Sequence, residues 1–487
     1  MDPRTPVVVG VATASQRLDD PADALEPIGL MEQALVSAAD DAGASALLAQ
    51  LDQIRVPKGM WRYADPARLL ADQVGAAGCR THLAEIGILQ TSLLNGAAQA
   101  IAAGEADVVA VVGGEAKYRS LRGAILGVEV PETEQDDAAP DELVVPHGDI
   151  ISRLEIERGL VMATHHYAFI ENALRYAEGL SVDDHRRQVA ELWSRFSAVA
   201  VDNPDAWNRC FHPPEEIRDA SDRNRMLAFP YTKLHNSQWN VDQAAALVLC
   251  SAERAEAAGI ARDRWVFPVA GSESNHMVPV SRRTLMHRSP GFALVGHAVL
   301  DAASVGVDDV ARLELYSCFP VAVRVQAREL GIDEQRQLTQ TGGMTFAGGP
   351  LNNFVLQGAV TMARSLREHP DDLGLFTAIS GMITKQGASL WSGHPVEQGF
   401  RYNDVTEAAA AATPEVGCRG GVAGDGTVVS ATVVHDSGDA RSVAVIEVGG
   451  ERTIASCTDA AVIESFERDE CCGRAVAVSE DGTFALT

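Results

Sequence analysis

The sequence predicts an α/β protein built from two similar halves, followed by a small all-β domain. Three observations carry this. Amphipathic helical spacing alternates with short Val-rich runs, matching helix–strand units recur at a near-constant offset, and the alternation stops after Ser392-Gly393-His394-Pro395.

In the first half, residues 28–50 read as a helix with Leu30, Ala34, Leu35 and Ala38 on one face, leading to the strand Ile54–Val56. Residues 92–103 read as a second helix, and Ala106–Val112 as a strand covered on both faces. The grammar returns in the second half. Leu94-Asn95-Gly96-Ala97 is echoed 262 positions later by Leu356-Gln357-Gly358-Ala359, each running into a strand, Val108–Val112 and Leu373–Thr377. The helix through Asp41-Ala42-Gly43 and strand Ile54–Val56 are likewise echoed by the helix before Gly306 and strand Leu313–Tyr316. Two matches at one offset imply an internal duplication.

Between the halves lies an excursion rich in Trp, His, Asn and Pro, with amphipathic stretches such as Val182–Val199. Such a segment either carries substrate contacts or serves as a lid or oligomer contact. Glu407, the alanines 408–412 and Thr413-Pro414 read as a linker. Beyond it, Thr427–Val434, Ser442–Val448, Arg452–Ser456 and Ala475–Val478 alternate with Gly and Asp, the pattern of an antiparallel barrel or sandwich. The expected domains are a first half at 1–117, an insert at 118–265, a second half at 266–406 and an OB-like β-barrel at 413–487.

Composition narrows the function. At 487 residues, two or three domains are expected, and 46% apolar residues fit a globular chain. No apolar run reaches the roughly 18 residues that span a bilayer, and no secretory leader is visible, so no membrane contact and a cytoplasmic location are expected. The net charge of −27 repels phosphate backbones, and from 415 onward thirteen Asp/Glu face five Arg and no Lys. Nucleic acid is therefore not an expected partner, and the barrel reads as a scaffold or protein-docking domain. The eight cysteines form no CxxC or Cys/His zinc spacing, and no metal is expected. The adjacent Cys471-Cys472 reads as two small apolar fillers in preference to a redox or metal site.

In order and spacing, AAQAIAAGEADVVAVVGG from Ala97, VDQAAALVLC (241–250), LELYSCFP (313–320) and TGGMTFAGGPLNN (341–353) resemble the thiolase superfamily over roughly 1–400. The set is most similar to the sterol-carrier-protein-type branch and its actinobacterial thiolase-like relatives with an extra C-terminal β-domain. The resemblance implies two βαβαβαββ halves sharing a five-layered α-β-α-β-α core. It also implies acyl-CoA chemistry, in which a cysteine at a helix N-terminus accepts the acyl group, a histidine activates it, and a second cysteine moves the α-proton.

These side chains are missing. The nucleophile region around Gly87, Ile86 to Ser92, holds no cysteine, and Cys79 lies well upstream. Thr91 and Ser92 read as helix caps. Gly349 stands where the GGHP-like segment carries its histidine, and Ala378 where the second cysteine belongs. The literal Gly393-His394-Pro395 follows the last core strand and is a coincidence of sequence. Tyr316-Ser317-Cys318-Phe319 occupies the site of the NEAF or HDCF motif, leaving Tyr316 and Cys318 as the candidate catalytic residues. Thiolase-like aldolases also lack the cysteines, use a tyrosine near this motif and bind an OB-fold partner. The resemblance thus implies three readings: an acyl-CoA-binding or scaffold protein, a CoA-thioester carbon–carbon lyase using Tyr316, or an acyltransferase with a surrogate nucleophile. Under all three the expected ligand is CoA or acyl-CoA, with no covalently bound cofactor, and Lys385, His165 and His166 are candidate contacts.

Overall fold

The computed structural model describes every residue except 137 and 437. Two mixed sheets are built to one plan. The first runs in spatial order Pro6–Gln16, Asp242–Ser251, Val108–Ala116, Gln53–Pro57, Arg80–Ala84 and Glu142–Val144. The second, from Phe267–Ser274 inward, runs Lys385–Ser392, Leu373–Ser380 and Arg312–Glu314, with Arg401–Asp404 on its other side. In each, the second strand is antiparallel to both neighbours, and the third is parallel to the fourth. The duplication read from the sequence is therefore a duplication of topology.

Alternation along the strands sorts the side chains into layers. Val108, Ala110 and Val112 face the helix Pro27–Asp41, whereas Val109 and Val111 face the central helices Gln90–Ala103 and Phe354–Glu368. On the second sheet Phe376, Ala378 and Trp391 point to the same centre, while Leu375 and Leu390 meet Val295 and Val299 of helix Pro290–Ala303. The result is the expected five layers, helix–sheet–helix–sheet–helix.

Three local expectations are corrected. The helix expected over 28–50 ends at Asp41, because Gly43 turns into the left-handed region at φ +66°, and a separate 3-10 turn covers Ser45–Gln50. The stretch read as a linker is the helix Thr406–Ala412, as an alanine run favours. Asp242–Ser251 falls inside 118–265 yet is a central strand of the first sheet, the counterpart of Lys385–Ser392 in the second. The excursion proper holds the helices Ala163–Glu178 and Val182–Asp202.

The C-terminal strands Glu451–Cys457, Asp439–Val448, Gly424–Asp436, Ala475–Val478 and Phe484–Leu486 follow one another as antiparallel neighbours. A bridge between Ser456 and Thr483 joins the first to the last and closes a small barrel. Ala444, Ile446 and Ala455 fill it together with Phe466 of the helix Ala460–Arg468, which the sequence reading did not place. Val443, Val445 and Ile454 point the other way, into the main core, so both faces of these strands are buried.

Polar bonds weld barrel to core. Asn172 Nδ2 donates to Ala431 O at 2.8 Å, Ser430 Oγ to Phe169 O at 2.7 Å, and Arg175 pairs with Glu470 at 2.8 Å. The buried Arg452 guanidinium donates to the carbonyls of Ser281, Arg283 and Thr284. An arginine-to-methionine change there keeps the stem but strands three carbonyls. Arg452→Met is expected to lower unfolding free energy by about 2–4 kcal/mol and to expose the segment between core and barrel to limited proteolysis. An unchanged melting temperature and digestion pattern would refute the weld.

Candidate functional site

The site is built around the N-terminus of helix Gln90–Ala103 and the segment Tyr316–Phe319. Ahead of the helix, Gly87 has φ +105°, a conformation that side-chain-bearing residues rarely adopt. A Cβ there would lie 3.0 Å from Cγ of Pro146, so the insert fills the space above this loop. The buried Lys385 Nζ donates to Gly87 O at 2.5 Å, and burial pulls the lysine pKa down. Lys385 thus pins the loop from below.

The helix start differs from expectation. Neither Thr91 nor Ser92 caps it; Leu89 stands at the N-cap without a side-chain bond. Thr91 Oγ1 is buried against Gly387 with no partner, and Ser92 Oγ donates to Glu273, which also accepts from Asn275 Nδ2 at 2.7 Å. Ser92 is a strut between layers.

The other positions are closed in the same way. Gly349 N donates to Gln238 O at 2.8 Å, and a Cβ on Gly349 would sit 3.1 Å from Ser237 Cβ. Ala378 is buried opposite Gly387 in the second sheet. The turn after that strand holds Gly381, Met382 and Ile383 at φ +59°, +51° and +72°. For a β-branched residue this is strained, and surrounding bonds over-determine it. Arg283 Nη2 donates to Gly381 O at 2.9 Å, while Ser289 Oγ and Gln386 Nε2 both donate to Ile383 O at 2.9 Å. His394 is exposed and paired with Asp371 at 2.9 Å, on the surface.

Tyr316 and Cys318 do lie together. Tyr316 N donates to Thr377 Oγ1 at 2.9 Å, its carbonyl accepts from Gln326 Nε2 at 2.8 Å, and its ring stands edge-on to Phe354. Burial raises the pKa of its phenol far above the ordinary tyrosine value, with the Gln90 side chain nearby. Burial also pushes the Cys318 thiol up to about 12, close to the buried Tyr167, whose ring stacks on Phe319 at 4.3 Å. Arg283, whose pKa burial pulls down to about 10, donates to Val278 O at 3.2 Å and to Gly381 O. The sequence does not single out Tyr167 or Arg283, neither of which sits in a motif, and within the Ile86–Ser92 segment it does not single out Gln90.

Below Phe319 is a buried ionic cluster. Tyr231 Oη donates to Glu171 Oε2 at 2.6 Å, His185 Nε2 lies 2.8 Å from Glu171 Oε1, and Arg324 joins Glu171, Glu178 and Glu334. Burial opposes ionisation of Glu171, but His185 and Arg324 outweigh it and hold the carboxyl down at about 2.

The histidine pair is elsewhere. His166 Nε2 meets Leu160 O at 2.8 Å, and burial followed by the neighbouring His166 pulls His165 down to about 4, leaving its Nδ1 buried without a partner. Among the described residues no hydrogen bond or ion pair joins either histidine to Lys385. Glu470, Cys471 and Cys472 have ligand atoms close enough together for a metal, yet Arg175 holds Glu470 and lies 3.7 Å from the Cys471 sulfur. A guanidinium in that place disfavours a cation.

Chemically, Tyr167, Tyr316 and Cys318 are held neutral by burial, so these candidates offer O–H and S–H donors and neither thiolate nor imidazole. The raised thiol predicts reactivity. At pH 8, iodoacetamide should modify the exposed Cys210 and leave Cys318 unmodified, with Cys318 labelling rising about tenfold per pH unit above that. Mass mapping that finds Cys318 labelled as fast as Cys210 would contradict this environment.

No family model matches the chain, and no curated protein does. Among solved structures it is similar to a monomeric SCP2-thiolase-like protein, type 1, from Mycobacterium smegmatis, at 26% identity and a TM-score of 0.84, covering 100% of both chains. It is also similar to an Ltp2–ChsH2(DUF35) aldolase, at 18% identity and a TM-score of 0.59 over 80% of this chain and 99% of that one. A dimeric peroxisomal thiolase of Saccharomyces cerevisiae matches at 16% identity and a TM-score of 0.57, over 80% and 98%. The last two likenesses concern the fold alone.

Proposed function

We propose that this chain, a thiolase-like protein of the sterol-carrier-protein (SCP2) branch, has no thiolase activity and works as a cytoplasmic acyl-CoA-binding or scaffold protein. The carrying observation is that the reactive positions are filled as well as substituted. Pro146 covers Gly87, Ser237 abuts Gly349, and Ala378 is buried in its sheet. Restoring a cysteine or histidine by single substitution would meet backbone strain or contact before it met substrate. What remains is the neutral pair Tyr316 and Cys318 near Tyr167, donors of the kind that a thioester oxygen accepts.

A lyase reading rests on Tyr316 and on the C-terminal barrel, taken as a cis-fused counterpart of the separate partner that such aldolases bind. A phenol must lose its proton to act as a base, and the burial of Tyr316 favours the neutral form. That supports binding over cleavage. The acyltransferase reading with a surrogate nucleophile is weaker still, since Ser92 is engaged by Glu273 and Thr91 is sealed against Gly387.

Calorimetric titration with CoA and a panel of acyl-CoAs, bulky steroid-like ones included, tests the proposal. Saturable binding without thiolysis of acetoacetyl-CoA is the expected outcome, and Arg283→Met should weaken binding about tenfold or more. Thiolysis that vanishes in Cys79→Ala or Cys318→Ala would overturn it. Retro-aldol turnover that vanishes in Tyr316→Phe would establish the lyase instead.

The same reading makes the protein a monomer. The edge strand Arg80–Ala84 is covered by the parallel segment Glu142–Val144, and the short new edge follows Pro140 and Asp141. Short, charged, proline-flanked edges resist sheet-to-sheet pairing. Light scattering should return about 51.7 kDa; twice that mass at micromolar concentration would count against a blocked edge.

A further inference from the structure

A second recess lies away from Tyr316 and Cys318. It is a cleft of about 780 Å³ between the end of helix Ala163–Glu178, the segment 284–287 and the barrel strand Gly424–Asp436. Its volume and its place at a domain junction are those of small-molecule sites. Its walls are fixed in advance, because Arg452 ties the barrel to Thr284 and Arg175 ties helix Ala163–Glu178 to Glu470.

The lining has a definite chemistry. Met286 and Val428 are buried at its base, whereas Tyr176 and Leu285 stand at the wall with 52% exposure each. Two large side chains left half wet around one recess mark apolar surface that a ligand would dry. The carboxylates in the lining are Asp425 and Glu447, and no lysine or arginine lines it. His287 is held toward its neutral form by burial and then by Arg288, so it adds no compensating charge near neutral pH. Glu447 stands across the sheet from the buried Arg452, whose guanidinium is turned to the carbonyls of Ser281, Arg283 and Thr284. The charges that face the cleft itself are therefore the two carboxylates, a lining that disfavours a nucleotide phosphate or a fatty carboxylate.

We propose that this cleft is a binding site for a small amphiphilic cation, its apolar body against Tyr176, Leu285 and Met286 and its positive head beside Asp425 and Glu447. The site is separate from the acyl-CoA reading, since CoA is a polyanion and is repelled here. An apolar body without the charge gains only the dried surface, and a charge without the body gains only a screened attraction. Both together are required.

The test is calorimetry on the full chain with decyltrimethylammonium, decanoate and tetramethylammonium, each below any micelle-forming concentration. Decyltrimethylammonium should fill one saturable site at least about tenfold more tightly than either of the others. The double variant Asp425→Asn, Glu447→Gln should bring its affinity to within about threefold of decanoate. Tyr176→Ser should weaken it while leaving the melting temperature unchanged, because that ring is half exposed. Equal affinity for decanoate would overturn the proposal, as would tight tetramethylammonium binding. An isotherm unaffected by the double variant would overturn it too, by revealing only a general attraction to the acidic chain.

Discussion

Glu171 is a carboxylate with no exposed surface, and separate parts of the chain converge on it through Tyr231, His185 and Arg324. An ionised group so placed is tolerated only if partnered on every side, and removing one partner of such a cluster costs about 3–5 kcal/mol. The cluster therefore sets geometry. It locks helix Ala163–Glu178 against helix Pro320–Leu330, and those helices carry most of what matters nearby. The first presents Tyr167 to Cys318 and Asn172 and Arg175 to the barrel; the second directly follows Tyr316–Phe319. The donor site and the barrel junction both hang on a charge that neither contains.

The positions without a cysteine or histidine are set by packing as well as by residue identity. A missing cysteine could in principle be supplied by a neighbour. Here Gly87 is left-handed and covered, Lys385 is spent on its carbonyl, and Gly349 is pressed against the insert. The strained turn at Met382 and Ile383 survives although its residues disfavour it, because Arg283, Ser289 and Gln386 hold its carbonyls. Strain persists only where the surrounding bonds over-determine it, as they do here.

The barrel is part of the core's packing. Its strands bury alternate side chains in its own interior and in the main core, and Val434 pairs with Ala228 of the insert. That double burial creates the cleft beside Tyr176 and fixes its shape. Among the described residues no helix is long and apolar enough to cross a membrane.

Much of this was legible in the sequence. Helix and strand periods announced the two halves, because side chains on a half-buried element must repeat with its geometry, and Leu94–Ala97 against Leu356–Ala359 exposed the duplication. The absence of cysteine near Gly87, of histidine at 349 and of cysteine at 378 was equally plain. Boundaries set by a single backbone angle, such as the stop before Gly43, or by long-range pairing, such as the return of Asp242–Ser251 to the first sheet, were not. Nor were Tyr167, which comes close to Cys318, and Arg283, which ties down Gly381, since neither position carries a periodic or motif signal. The sequence by itself determined which elements form and which reactive groups are missing, since both depend on residue type and local spacing. Only the tertiary structure decided which side chains fill the vacated positions and where charge is buried, because those depend on contacts between residues far apart along the chain.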